Sequence, residues 1–391
     1  LPGHFGKWVQ NNRDRIDLPV NTFVQINAQS DAPATIENPR QGFTDEEQAD
    51  RVENFLRTIG LVSGYAPFVI MMGHGSSSQN NPHMAAYDCG ACSGRHGGPN
   101  ARAFATMANR QEVRTLLQQR GLEIPQDTVF LGAEHNTCDE VIEWYDMEQL
   151  SSEQSLAWQT INDRLDQACR LSAHERSRRF MSASTGMNNN AALAHVIARS
   201  YDFSQPRPEL GHATNATAFI GRRSLSPGAF FDRRAFLISY DPSTDPEGKI
   251  VEAILLAAGP VGAGINLEYY FSTVNNEDYG CGTKVVHNLT GLFGLMEGAG
   301  SDLRTGLPLQ MIEIHEAMRL LVVVEAKTEI LGEIYGRQPV IQELVGNRWI
   351  QLAAIDPDNG DITLFVAGKG FVPWQGKQQG LAKVKRSADH Y

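Results

Sequence analysis

The chain has 391 residues, 41% of them hydrophobic and 20% charged, enough to bury a large core and to form about two to three domains. A formal net charge of -11 speaks against a nucleic-acid-binding surface, and the local basic cluster Arg176, Arg178 and Arg179 reads as a solvated helix face. Five cysteines (Cys89, Cys92, Cys138, Cys169 and Cys281) are too scattered for a disulfide scaffold and indicate a reducing compartment with thiols available for metal.

Residues 1–44 are polar and proline-punctuated, an irregular lead-in without a visible signal peptide. An α/β region is expected over 45–180. Val52, Phe55, Leu56 and Ile59 recur at helical spacing behind the acidic turn Asp45-Glu46-Glu47, predicting a helix from Asp45 to Leu61. Phe68-Val69-Ile70-Met71-Met72 is a run of successive apolar residues, the mark of a strand covered on both faces as in a parallel sheet. Gly97-Gly98-Pro99-Asn100 leads into a helix ending near Gly121. Thr128 to Leu131 reads as the next strand and Ser151 to Arg178 as a long helix, with Leu156, Ile161, Leu165 and Cys169 inward. This alternation implies parallel βαβ units.

A second α/β region is expected over 181–376. Ala216 to Ile220, Ala235 to Tyr240, Asn266 to Thr273 and Leu320 to Val324 read as strands, with helices over Lys249–Ala258 and Lys327–Tyr335. Gly280 to Gly306 is a glycine-rich, structured loop region, and a hairpin is predicted around Pro357-Asp358-Asn359-Gly360. Residues 377–391 form a basic, polar tail. The most apolar stretch, Ile250 to Ile265, contains Glu252, several glycines and Pro260, so any membrane association is expected to come through a partner. The fold class is therefore α/β, mostly parallel sheets with flanking helices.

The chemistry concentrates after the first strand, in Gly73-His74-Gly75-Ser76-Ser77-Ser78 and Tyr87-Asp88-Cys89-Gly90-Ala91-Cys92. Functional groups in parallel sheets gather at the carboxyl ends of strands, where His74 stands, and an imidazole with thiolates suits zinc. His74, His83, Cys89 and Cys92 together could close a structural site; Cys89 and Cys92 alone have C-x-x-C redox spacing; a satisfied core histidine with inert cysteines is the bland alternative. His135 and Cys138, in the segment after the next strand, are tempting ligands, though a supporting or turn role is expected for them. Gly259-Pro260-Val261-Gly262-Ala263-Gly264 follows a helix and lacks the Lys-Ser/Thr ending of a phosphate loop.

Residues 73–82, Tyr87 to Gly94, Gly98-Pro99-Asn100-Ala101-Arg102, Asn275 to Gly280, Thr283 to Asn288 and Gly300 to Pro308 resemble the DabA family. That resemblance implies the large subunit of an energy-coupled inorganic-carbon uptake complex with a β-carbonic-anhydrase-like core. It implies a zinc ion bound by His74 and Cys89, with Cys92 as a neighbour. The substrates implied are carbon dioxide and bicarbonate, the partner a membrane-embedded, antiporter-like subunit of the DabB type, and the location peripheral, on the cytoplasmic face of the inner membrane. The family's other two ligands come from an upstream C-x-D-x-R segment that this sequence lacks. With Leu1 at its start, the chain is expected to be a C-terminal portion holding half a metal site. The rival expectation is a zinc-stabilised scaffold that docks to the membrane subunit without catalysis.

Overall fold

A computed structural model describes residues 24–77 apart from 29, 31, 34 and 38, then 96–202, 208–209, 214–275, 278, 289–290, 294–295, 316 and 318–376. The fold is α/β, and the chain divides into two compact units, Leu1–Glu209 with Leu289–Gly294, and Leu210–Asn288 with Leu295–Tyr391.

In the first unit, α1 (Asp45–Thr58) begins at a capping box, in which Thr44 accepts the Glu47 amide and the Glu47 carboxylate accepts the Thr44 amide. Its buried face, Ala49, Val52 and Leu56, meets Ala105, Ala108, Val113, Leu117 and Phe130 in one core. Fully burying a leucine such as Leu56 contributes about 1.5–3 kcal/mol. The single helix expected up to Gly121 is two helices, α2 (Gly98–Asn109) and α3 (Gln111–Gln119). Arg110 breaks them with an extended backbone, and its guanidinium binds Asp45 at 2.5 Å and Gln48 at 3.1 Å. Gly121, at φ +79°, supplies the left-handed stop.

Strand β1 (Phe68–Gly75) runs parallel to β2 (Val129–Asn136), with Phe68 opposite Val129 and His74 opposite His135. Both strands are longer than their apolar runs suggest, so His74 and His135 lie within strands rather than in the loops after them. A short strand, β3 (Val141–Trp144), pairs antiparallel with β2 and carries no sequence signal of its own. The sheet order is β1-β2-β3, which leaves β1 at an edge. Its apolar run is half-buried, with Met72 40% exposed, against the expectation of a strand covered on both faces. Helix α4 (Ser152–Ser177) buries Cys169, Ala173 and Arg176, but Leu156, expected inward, is 68% exposed. Helix α5 spans Asn189–Ser200.

The second unit holds β4 (Thr217–Gly221), β5 (Ala235–Ser239), α6 (Lys249–Val274), β6 (Leu321–Glu325), α7 (Thr328–Arg337), β7 (Gln351–Ile355), β8 (Ile362–Val366) and β9 (Gly370–Pro373). The sheet order is β9-β8-β7-β6-β4-β5; β5, β4, β6 and β7 are mutually parallel, and β8 and β9 add antiparallel. Val322 and Val324 of the central β6 pack with Ile220, Leu352, Val251, Leu255 and Leu331.

The expected helix, break and strand between 249 and 273 are instead one helix, which continues through Pro260. One apolar face explains it: Val251, Leu255 and Ala263 are buried on it at multiples of four residues. A Cβ at Gly262 would lie 2.9 Å from the end of the Leu320 side chain, so this helix packs closely on Leu320. The loop region expected over 280–306 falls almost wholly outside the described residues, which include from it the paired strands Leu289–Thr290 and Gly294–Leu295. The tail from 377 and the first part of the lead-in lie outside them as well.

Candidate functional site

The carboxyl ends of β1 and β2 lie side by side because the two strands pair in parallel, and glycines let α2 sit directly on them. A Cβ at Gly132 would lie 2.7 Å from the Arg102 Cα, and one at Gly97 would lie 2.6 Å from the His74 nitrogen. The Gly97 amide donates to the His74 carbonyl at 2.8 Å. Three carboxylates then organise the imidazoles and hydroxyls at this edge.

Glu209 serves His74. Its Oε1 lies 3.0 Å from His74 Nε2 and 2.8 Å from Thr137 Oγ1, and its Oε2 accepts the Ser76 hydroxyl at 2.5 Å. Ser76 Oγ is also 3.4 Å from Cys138 Sγ. The His74 side chain is 41% exposed, whereas Glu209 is only 13% exposed. A carboxylate accepts a hydrogen bond only from a protonated nitrogen, so this pairing places a proton on Nε2 and leaves Nδ1 as the ring nitrogen that would face a metal. Histidines that ligate metals characteristically donate their other N–H to a carboxylate, so His74 suits a metal ligand of this type.

Glu134 serves the start of α2. Its Oε1 is 2.7 Å from His96 Nδ1, and its Oε2 accepts the Gly98 amide at 2.9 Å. A negative charge at a helix amino terminus is stabilised by the exposed amides and the helix dipole. A Cβ at Gly75 would lie 2.7 Å from Glu134 Oε1, so glycine at that position leaves the carboxylate room.

Glu140 anchors the third group. Its Oε2 is 2.7 Å from His135 Nε2, while Oε1 accepts Ser172 at 3.0 Å and Arg176 at 2.9 Å. Arg176 also donates to the Thr137 carbonyl. Burial alone would raise the Glu140 carboxyl, but the His135 hydrogen bond and the Arg176 charge outweigh it and hold the group below its ordinary range. Burial first, then the neighbouring Glu140 and Asp166 charges, push the Cys169 thiol up to about 11. Beside this group, burial raises the Asp139 carboxyl.

Ligand atoms of His135, Glu140 and Cys169 all lie within 4.8 Å of one another, so these three residues could hold a metal ion. The donor set fits such an ion less well than its spacing suggests. Arg176 already neutralises the carboxylate, and a thiol with a raised pKa must lose its proton before it can ligate.

Of the residues singled out in the sequence, His74 stands at the strand end and shares the sheet edge with His135. Cys89, His83 and Cys92 lie outside the described residues. His135 and Cys138 join the hydrogen-bonded groups around His74 and Glu140. Glu209 escaped sequence reading because it is 135 positions from His74, in the proline-flanked stretch Gln205-Pro206-Arg207-Pro208-Glu209 with no periodicity or motif. Cys169 carried only a core signal.

Residues 2–350 match the family model described as "Probable inorganic carbon transporter subunit DabA". A protein of that name from Methylococcus capsulatus (strain Bath) is 64% identical over 373 residues, covering 95% of this chain and 35% of the relative. One from Dechloromonas aromatica is 58% identical over 391 residues, covering 100% of this chain and 38% of the relative. One from Azotobacter vinelandii is 45% identical over 327 residues, covering 84% and 39%. The chain thus spans a little over a third of the length of these curated relatives. No solved structure matches it.

Proposed function

The chain belongs to the DabA family of probable inorganic carbon transporter subunits, and on that premise we propose that it carries half of a zinc site at which the full-length subunit hydrates carbon dioxide to bicarbonate. His74 and Cys89 are its ligands, and the remaining donors come from outside this chain. The observation that carries the reading is the His74–Glu209 pair at the carboxyl end of a parallel strand, in a family named for inorganic carbon transport.

Zinc, when bound, supplies a Lewis acid that lowers the pKa of a coordinated water from about 15.7 toward about 7. The chain's own residues prepare for that. Glu209 accepts the Nε2 proton and so fixes the ring orientation, while Ser76 and Thr137 saturate the remaining carboxylate valences. Cys89, as thiolate, adds negative charge and softness, which favour zinc over magnesium or calcium. The core around the site is of the β-carbonic-anhydrase kind. The subunit works with a membrane-embedded, antiporter-like partner of the DabB type at the cytoplasmic face of the inner membrane, and that coupling makes hydration directional.

The test is a set of substitutions in the full-length protein, read by zinc content, recovery of the complex and bicarbonate uptake. His74→Ala and Cys89→Ser are expected to lose zinc and uptake while the complex still assembles, and Cys92→Ser to be milder. Loss of assembly with His74→Ala would support a zinc-stabilised scaffold instead. One tightly held zinc per molecule in this chain alone would favour the local set His74, His83, Cys89 and Cys92.

A further inference from the structure

In β1 the backbone groups alternate between two edges. The Val129 amide donates to the Pro67 carbonyl at 2.8 Å and the Thr137 amide to the Gly75 carbonyl at 2.8 Å, so the odd-numbered residues face β2. Phe68, Ile70 and Met72 therefore turn their amides and carbonyls to the opposite edge. Among the described residues no strand pairs there. The one tie seen on that side is the Gly97 amide on the His74 carbonyl, at the carboxyl end.

Among the described residues this edge lacks several of the features that keep natural edge strands from pairing. It runs eight residues, about 26 Å at strand rise, without proline, lysine or a bulge. Its side chains are apolar on both faces yet only half-buried, with Met72 exposed. Such a run is the pattern of an interior strand. The relatives carry most of their length beyond the stretch that this chain matches, since 373 aligned residues make up 35% of the Methylococcus capsulatus protein.

We infer that the outer edge of β1 is a docking edge for a further strand, supplied by the part of the full-length protein outside this chain. The inference stands on backbone geometry and is independent of the metal reading. A strand added there gives Phe68, Ile70 and Met72 backbone partners and covers both flanks of the apolar run.

Hydrogen exchange with residue-resolving mass spectrometry tests it, on this chain and on the full-length Methylococcus capsulatus relative. In this chain the amides of Ile70 and Met72 are expected to exchange quickly, with Val69 and Met71, which face β2, as the protected reference. In the full-length relative the positions matching Ile70 and Met72 are expected to slow by about 100-fold or more, as for amides within a paired core strand. Fast exchange there overturns the inference, and this arm decides by itself where the shorter chain fails to hold β1 against β2. Equal protection of both sets in this chain also overturns it, because the edge is then covered from within. Protection that rises with the concentration of this chain assigns the edge to a second copy and overturns it too. Zinc and uptake retained in His74→Ala with this pattern intact would count against the metal reading of β1's end alone, and would leave the docking edge standing.

Discussion

Glu140 sits at φ +63°, a backbone conformation that costs a residue with a side chain on the order of 1–3 kcal/mol. It keeps that conformation because its carboxylate, 1% exposed, is tied to His135, Ser172 and Arg176. Removing Arg176, itself 3% exposed, leaves a buried charge without its counterion. Arg176→Met should therefore destabilise the chain by about 3–5 kcal/mol, read as a lower denaturant midpoint. The pH dependence follows from the sign of the shift. A carboxyl whose folded pKa lies below its unfolded value stabilises the fold above about pH 4.5, and that stability is lost as pH falls through the lower, folded value. Asp139 works in the opposite sense, because burial raises its pKa and protonation relieves it. Glu140→Gln should be less stable at neutral pH and should lose less on acidification below about pH 4.5; an unchanged acid limb would refute this account of Glu140.

At the same scale, Glu209 is a positioning residue for His74. Supporting carboxylates of this kind typically govern metal affinity by about 10–100-fold. Glu209→Ala in the full-length protein should weaken zinc retention by roughly that factor in a chelator competition, and Glu209→Gln, which keeps an acceptor oxygen, should weaken it less. Equal retention in both variants would show that Glu209 does not orient the ring. His74 itself was legible, because a histidine between glycines after an apolar run marks a strand end. Glu209 was not, because its role exists only once two segments distant in sequence meet.

Among the elements, those with a strong local period were readable: α1, β4, β5, β6 and α7 fall within a few residues of their predicted spans. Three departures share a cause in tertiary contact. Strand β3 forms because β2 offers it an edge; the break at Arg110 is fixed by Asp45 and Gln48; and α6 passes its glycines and Pro260 because a buried face outweighs poor helix propensity. The seat of α2 on the sheet gives a direct test. Gly132 leaves no space for a methyl group against the Arg102 backbone, whose side chain is held by Asp146 at 2.8 Å. Gly132→Ala should cost about 1–3 kcal/mol through overpacking, seen as a lower thermal midpoint and faster exchange across Gly98–Asn109. Gly121→Ala lacks any such clash and has only its φ of +79° to lose, so it should cost less.

For the molecule as a whole, charge and hydropathy bear on the proposed peripheral location. Among the described residues no helix is long and apolar enough to cross a membrane. The net charge of -11 is repelled by an anionic leaflet, which attracts basic segments by about 1 kcal/mol per lysine or arginine near its surface. Lipid contact alone therefore supplies little attraction, and under the proposed function it is the membrane-embedded partner that holds the chain at the membrane. On that argument the chain should stay at the bottom of a flotation gradient with protein-free vesicles containing phosphatidylserine, at low and at physiological salt alike. It should rise with vesicles that carry the antiporter-like subunit, provided that the partner's binding surface lies within this third of the protein. Flotation with bare anionic vesicles that weakens as salt is added would contradict the charge argument, because it would require a basic face strong enough to override the overall sign.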